Sequence, residues 1–87
     1  MSKKYDIILY PFSTEKTSAR IDIENILVFV VDKKATKTQI KKAVEDMYNM
    51  KVKKVRTMIT PDGIKKAYVK FSEETPAIDL ATKLGIL

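Results

Sequence analysis

Residues 51–72 constrain this chain more than any other stretch. Two runs, Lys51-Val-Lys-Lys-Val-Arg-Thr-Met-Ile-Thr60 and Ile64-Lys-Lys-Ala-Tyr-Val-Lys-Phe-Ser72, flank Pro61-Asp62-Gly63. β-Branched and aromatic residues on both sides of a tight turn signal predict a β-hairpin. Pro61 supplies the fixed φ of the second position of a type I turn, Asp62 suits the third, and Gly63 accepts a positive φ. The loop then closes on a glycine bulge, with Thr60 opposite Ile64.

Counting outward sets the register. Val55 faces Val69, Thr57 faces Ala67, and Phe71 lies further along the same side, which is predicted to be buried. On the other side Lys54 faces Lys70, Arg56 faces Tyr68, and Met58 faces Lys66. Like charges directly across a strand pair repel. A hairpin that collects Lys54, Arg56, Lys66 and Lys70 on one face therefore calls for an external anion. The plainer alternative is a solvated face whose long side chains fan apart. Charge bookkeeping favours the anion. Residues 51–70 hold six lysines and Arg56 against Asp62 alone, a surplus equal to the +6 of the whole chain. The basicity is one local feature, for which nucleic acid is the natural partner. Basic residues on strands, and not along an amphipathic helix, argue against an anionic membrane surface.

Composition rules out several classes. The chain reads as one small domain over residues 1–87, 45% hydrophobic and 32% charged, which is globular and neither disordered nor membrane-inserted. No secretory leader is expected, and the lack of cysteine removes disulfides and thiolate metal sites, consistent with a cytoplasmic protein without cofactors. An enzyme is not expected. There is no histidine or cysteine, Gly63 and Gly85 are used by a turn and a helix end, and the pairs Glu45-Asp46 and Glu73-Glu74 diverge.

Taken in order, Asp6-Ile-Ile-Leu-Tyr10 predicts a short strand stopped by Pro11. A helix follows, capped by Ser13 or Thr14, with Ala19 and Ile23, and less clearly Ile21, as its apolar stripe; Lys16 and Arg20 share one of its faces. Ile26-Leu-Val-Phe-Val-Val31 is apolar without alternation, so it predicts a strand buried on both sides, inside the sheet. Thr36 and Gln39 form a capping box that opens a helix with Ile40, Ala43, Val44, Met47 and Tyr48 on one face, and Asn49 suits a left-handed terminus. After the hairpin, Thr75-Pro76 predicts an N-cap followed by a first-turn proline, with Ala77, Leu80, Ala81 and Leu84 as the stripe and Gly85 as the stop. The order is β-α-β-α-β-β-α. Three helices around four strands, one of them doubly buried, predict an α+β fold with helices on both sheet faces.

Ile8-Leu-Tyr-Pro11 with Ser13-Thr-Glu-Lys16, then residues 32–40, Val55-Arg-Thr57 and Lys65-Lys-Ala-Tyr-Val-Lys-Phe71 resemble the ribosomal large-subunit protein twenty-three family. The likeness runs from about Tyr5 to Gly85. It implies a four-stranded antiparallel sheet in the order 1-2-4-3. It also implies binding to large-subunit rRNA, mainly its third domain, beside the polypeptide exit tunnel. The implied partners are neighbouring ribosomal proteins and the signal recognition particle, and in bacteria a ribosome-bound chaperone. The isolated chain is expected to be monomeric. Carried over by position, the docking carboxylate is Glu15, and the rRNA-facing set is Lys16, Arg20, Lys53, Lys54, Arg56, Lys65, Lys66, Tyr68 and Lys70. The short Pro61-Asp62-Gly63 turn replaces the long basic loop of bacterial members, and the basic N-terminal extension of eukaryotic members is missing; this compact form looks archaeal.

Two other binding classes remain in view. A sheet platform for single-stranded RNA needs about two or three exposed aromatics on central strands, and here Tyr68 alone qualifies. A protein-binding adaptor would leave the hairpin charge unexplained unless its partner were acidic.

Overall fold

A computed structural model describes residues 7–86; the side chains of residues 15–18 and 22 also lie outside the described set. The elements are β1 (Ile8–Phe12), α1 (Glu15–Glu24), β2 (Ile26–Val31), α2 (Lys37–Tyr48), β3 (Val52–Ile59), β4 (Lys65–Phe71) and α3 (Ala77–Leu84). The strands form an antiparallel sheet in the order β1-β2-β4-β3. Class, strand order and helix number agree with expectation.

The hairpin forms as its turn residues dictate. Thr60 N–H donates to the Ile64 carbonyl at 2.8 Å, Gly63 N–H donates to the Thr60 carbonyl at 2.9 Å, and Gly63 has φ +85°. The pairs Val55–Val69, Thr57–Ala67, Arg56–Tyr68, Met58–Lys66 and Lys54–Lys70 all stand in the predicted register. A bulge between Val52 and Lys54 then brings Val52 opposite Phe71.

β2 is central, and its residues from Leu27 to Val31 are buried. The helices do not cover both of its sides. Leu27, Phe29 and Val31 share one core with Ala67, Val69 and Phe71 of β4, and with Ile21 of α1, Ile40 and Val44 of α2 and Leu80 of α3. By strand alternation those positions point one way, so all three helices sit on one face. Val28 and Val30 point the other way and are buried by cross-strand neighbours: Phe12 and Tyr68 flank Val28, and Tyr10 and Lys66 flank Val30. A doubly apolar strand demands cover on both sides but does not say whether a helix or neighbouring side chains supply it.

Three local expectations need correction. The first strand does not stop at Pro11; it runs through to Phe12, with Pro11 paired to Phe29. Proline lacks the N–H that a ladder needs, but an edge strand has one unpaired side where that lack costs nothing. Asp6, the expected start of this strand, lies outside the described residues. On α1 the inward residue is Ile21, 3% exposed, whereas Ile23 is 83% exposed and Ala19 also faces solvent. On α3 the N-cap position falls on Pro76, which has no capping side chain. The Thr75 hydroxyl instead donates to the carbonyls of Lys51 and Ser72.

Asn25 supplies the missing cap from across the molecule. Its backbone sits at φ 59°, in the left-handed region that asparagine tolerates at a helix end. Its Nδ2 donates to the carbonyls of Phe71 and Ser72 at 3.0 and 3.1 Å, and its Oδ1 accepts from Ala77 N–H at 2.5 Å. One amide thus ties the end of α1 to the end of β4 and the start of α3.

α2 opens on the predicted capping box, in which Gln39 N–H donates to Thr36 Oγ1 and Thr36 N–H to Gln39 Oε1. Ile40, Ala43 and Val44 are buried, and Tyr48 stacks on Phe29 with centroids 5.9 Å apart. Burial raises the Tyr48 pKa above the usual phenol value. Met47, expected in the core, is 38% exposed at the rim. Asn49 (φ 53°) and Gly85 (φ 73°) end α2 and α3 in left-handed conformations, and Ile86 N–H returns to the Ala81 carbonyl.

Candidate nucleic-acid interface

With the helices gathered on one side, the opposite face of the sheet is open among the described residues. Strand alternation puts Lys54, Arg56 and Met58 of β3 and Lys66, Tyr68 and Lys70 of β4 on it. Tyr10 and Phe12 of β1 join them, because each pairs with an outward-facing valine of β2. Phe12 was missed in the sequence because Pro11 reads as a strand stop. The signal was present nonetheless: Tyr10 and Phe12 keep the two-residue period on either side of the proline.

Helix α1 adds a fifth cation. The Arg20 guanidinium carbon lies 5.6 Å from the centroid of the Tyr68 ring. Lys66 Nζ lies 3.9 Å from the centroid of the Phe12 ring. β2 separates β4 from β1, so the Lys66 and Phe12 side chains meet over β2. The Lys66 methylene stem therefore shields the outward valines while its charge stays at the surface. The Tyr68 hydroxyl meets Met58 Sδ at 3.6 Å. Among the described residues, no carboxylate pairs with Arg20, Lys54, Arg56, Lys66 or Lys70; the ion pair nearby, Lys51 with Glu74 at 3.3 Å, lies beyond that face.

Other residues predicted for the site are placed elsewhere. Lys65 pairs with Val31 and Ile59, on the helix side of the sheet, and its Nζ donates to the Ala35 carbonyl at 2.6 Å and the Lys33 carbonyl at 3.4 Å. It fastens the loop before α2 and does not join the open row. Lys53 sits in the β3 bulge and borders shallow depressions that Glu45, Glu73 and Lys70 also border. The side chains of Glu15 and Lys16 lie outside the described residues. At the hairpin tip, the Thr60 hydroxyl donates to Asp62 and holds its carboxyl below the usual carboxylate range, with a backbone hydrogen bond and nearby Lys66 adding to the effect.

The arrangement has the chemistry of a polyanion site. Guanidinium and ammonium groups from three elements share one face. Among the described residues no group of carboxylates or imidazoles could hold a metal ion, and no helix is long and apolar enough to cross a membrane.

Fold and face together define a two-layer α+β domain, its sheet covered by helices on one side and, among the described residues, cationic and open on the other. The family model of ribosomal protein L23 matches residues 6–79, and the chain belongs to that family. It is 46% identical over 83 residues to the large ribosomal subunit protein uL23 of Trypanosoma brucei brucei, an alignment covering 95% of this chain and 51% of that protein. The chain thus spans about half the length of that relative.

Proposed function

We propose that this chain is a structural, non-catalytic constituent of the large subunit of the cytoplasmic ribosome, and that it binds large-subunit rRNA through the open sheet face. The observation that carries this reading is the set Arg20, Lys54, Arg56, Lys66 and Lys70, without a carboxylate salt bridge among the described residues and on one side of a chain of the L23 family. Lys53 and Lys16 border the set in sequence, and Lys65 acts as a tether for the loop it contacts. Each phosphate neutralised releases counterions, so five such contacts give a slope of log affinity against log salt of about −4 to −5. Backbone and shape recognition need no base-reading side chains.

In the finer reading, that rRNA is the third domain, beside the exit of the polypeptide tunnel. Neighbouring ribosomal proteins complete the surroundings, and Glu15 contributes to a docking site for the signal recognition particle. The short Pro61-Asp62-Gly63 turn matches the compact, archaeal-like form of the family and holds no loop long enough to line a tunnel.

The test is assembly. Lys54→Glu with Lys70→Glu is expected to abolish incorporation into large subunits, scored by co-sedimentation, while the isolated chain keeps its circular dichroism. Normal incorporation would transfer the case to a protein-binding adaptor. Glu15→Ala is expected to leave assembly intact and to weaken targeting-factor binding to the resulting ribosomes; unchanged affinity would remove Glu15 from the site.

A further inference from the structure

We propose that Phe12 and Tyr68 are positioning residues, each ring holding a cation (Lys66 and Arg20 respectively) at the place where it meets the ribose-phosphate backbone of paired RNA. This rests on the rRNA-binding reading and adds to it two ring roles and a form of RNA. Tyr68 stands on a central strand, where a sheet platform would stack an unpaired base, and Phe12 stands on the edge strand of the same face. On each, the space over the ring holds a charge from another element: Lys66 Nζ at 3.9 Å from the Phe12 centroid, and the Arg20 carbon at 5.6 Å from that of Tyr68. A base stacked there would have to displace a cation that the ring itself attracts.

Holding the cation matters because free lysine and arginine side chains carry large rotamer entropy, which binding must otherwise remove. Lys66 is held over β2 by the Phe12 ring, and Arg20 is held against the sheet by the Tyr68 ring although it belongs to a helix. Lys54 faces Lys70, and among the described residues neither lies over a ring, so the face has two restrained cations, two mutually repelling ones, and Arg56 opposite Tyr68. The rings act through their cations, and that can be separated from base stacking.

The experiment is a pair of double-mutant cycles on the full chain, read as dissociation constants for transcribed large-subunit rRNA across a salt series. One cycle uses Arg20→Gln and Tyr68→Leu, the other Lys66→Gln and Phe12→Leu. Each cation variant is expected to lower the salt slope by about one contact. Each ring variant is expected to weaken binding about 2- to 5-fold at unchanged slope. In the double variants the ring change is expected to cost nothing further, and Tyr68→Phe is expected to bind as the wild type does. If the ring losses persist in full without the cations, bases stack on the rings and the proposal fails; it fails equally if the ring variants bind normally. Should Phe12→Leu not fold, as judged by circular dichroism, the Tyr68 cycle decides. A wild-type chain without salt-dependent binding would overturn the rRNA reading itself, a result distinct from either ring outcome.

Discussion

The two faces of the sheet use the same four strands for opposite ends. On the helix side, Leu27, Phe29, Ala67, Val69 and Phe71 are almost fully buried and meet apolar stripes from three helices. On the other side, Val28 and Val30 are equally dry but are covered only by side chains from flanking strands, three of them aromatic and one a lysine. The first face is closed by tertiary packing and has no surface left to offer. The second is closed by amphipathic side chains that hide carbon from water and leave charge outside. Stability is thus concentrated on one side and binding capacity on the other, and the two should respond separately to mutation.

Phe29→Ala on the helix side tests this division most severely. It leaves a cavity beneath Tyr48 and is expected to cost about 3–5 kcal/mol in urea unfolding, enough to unfold most of a chain this small. The matching change on the open side is Lys54→Glu with Lys70→Glu. Its unfolding free energy is expected to stay within about 0.5 kcal/mol of wild type, as for other surface changes. Its rRNA affinity is expected to fall by about a hundredfold or more, because contacts are lost and repulsion gained. A large loss of stability from that pair would show that the faces are not independent.

A smaller effect sharpens the boundary between them. Asn25→Ala removes three hydrogen bonds and a favourable left-handed residue and is expected to cost about 1–3 kcal/mol. Hydrogen exchange should localise the loosening to residues 70–78. Uniform loss of protection across the sheet would refute the clamp role. The smallest effect lies at the hairpin tip. Asp62 has a lowered pKa in the folded chain, so its contribution is present above the ordinary carboxylate range and is lost as pH falls through the depressed value. Nuclear magnetic resonance titration of the Asp62 carboxyl should find that depression, and Thr60→Ala should reduce it. An unperturbed titration in the wild type would rule the contact out.

Local signals made much of this legible from the sequence. Pro61-Asp62-Gly63 fixes the loop, and a period of two then sets the pairs along the hairpin as far as Lys54–Lys70, so the charge on one face is countable from the sequence. Thr36 and Gln39 lie within one turn of each other and form their cap without outside help. The features that escaped depend on residues far apart in sequence. Asn25 makes its bonds 46 to 52 positions away, which left Thr75 as the apparent cap for α3. Phe12 joins the site only if a strand can pass through Pro11, and that depends on its being an edge strand. The choice between Ile21 and Ile23 depends on how α1 leans on the sheet, because its stripe is too thin to decide. The placement of all helices on one face was hidden for a related reason, since Val28 and Val30 are apolar whichever neighbours cover them.

Pro11 has one more consequence, for the free chain. An antiparallel sheet ends in two lateral strands whose spare amides and carbonyls invite another copy to dock and start a fibre. Here β1 is interrupted by a residue that cannot donate, and β3 carries Lys53, Lys54 and Arg56 in close succession. Free molecules are therefore discouraged from stacking edge to edge at both margins, and on one of them the deterrent is the same charge that the proposed function assigns to phosphate.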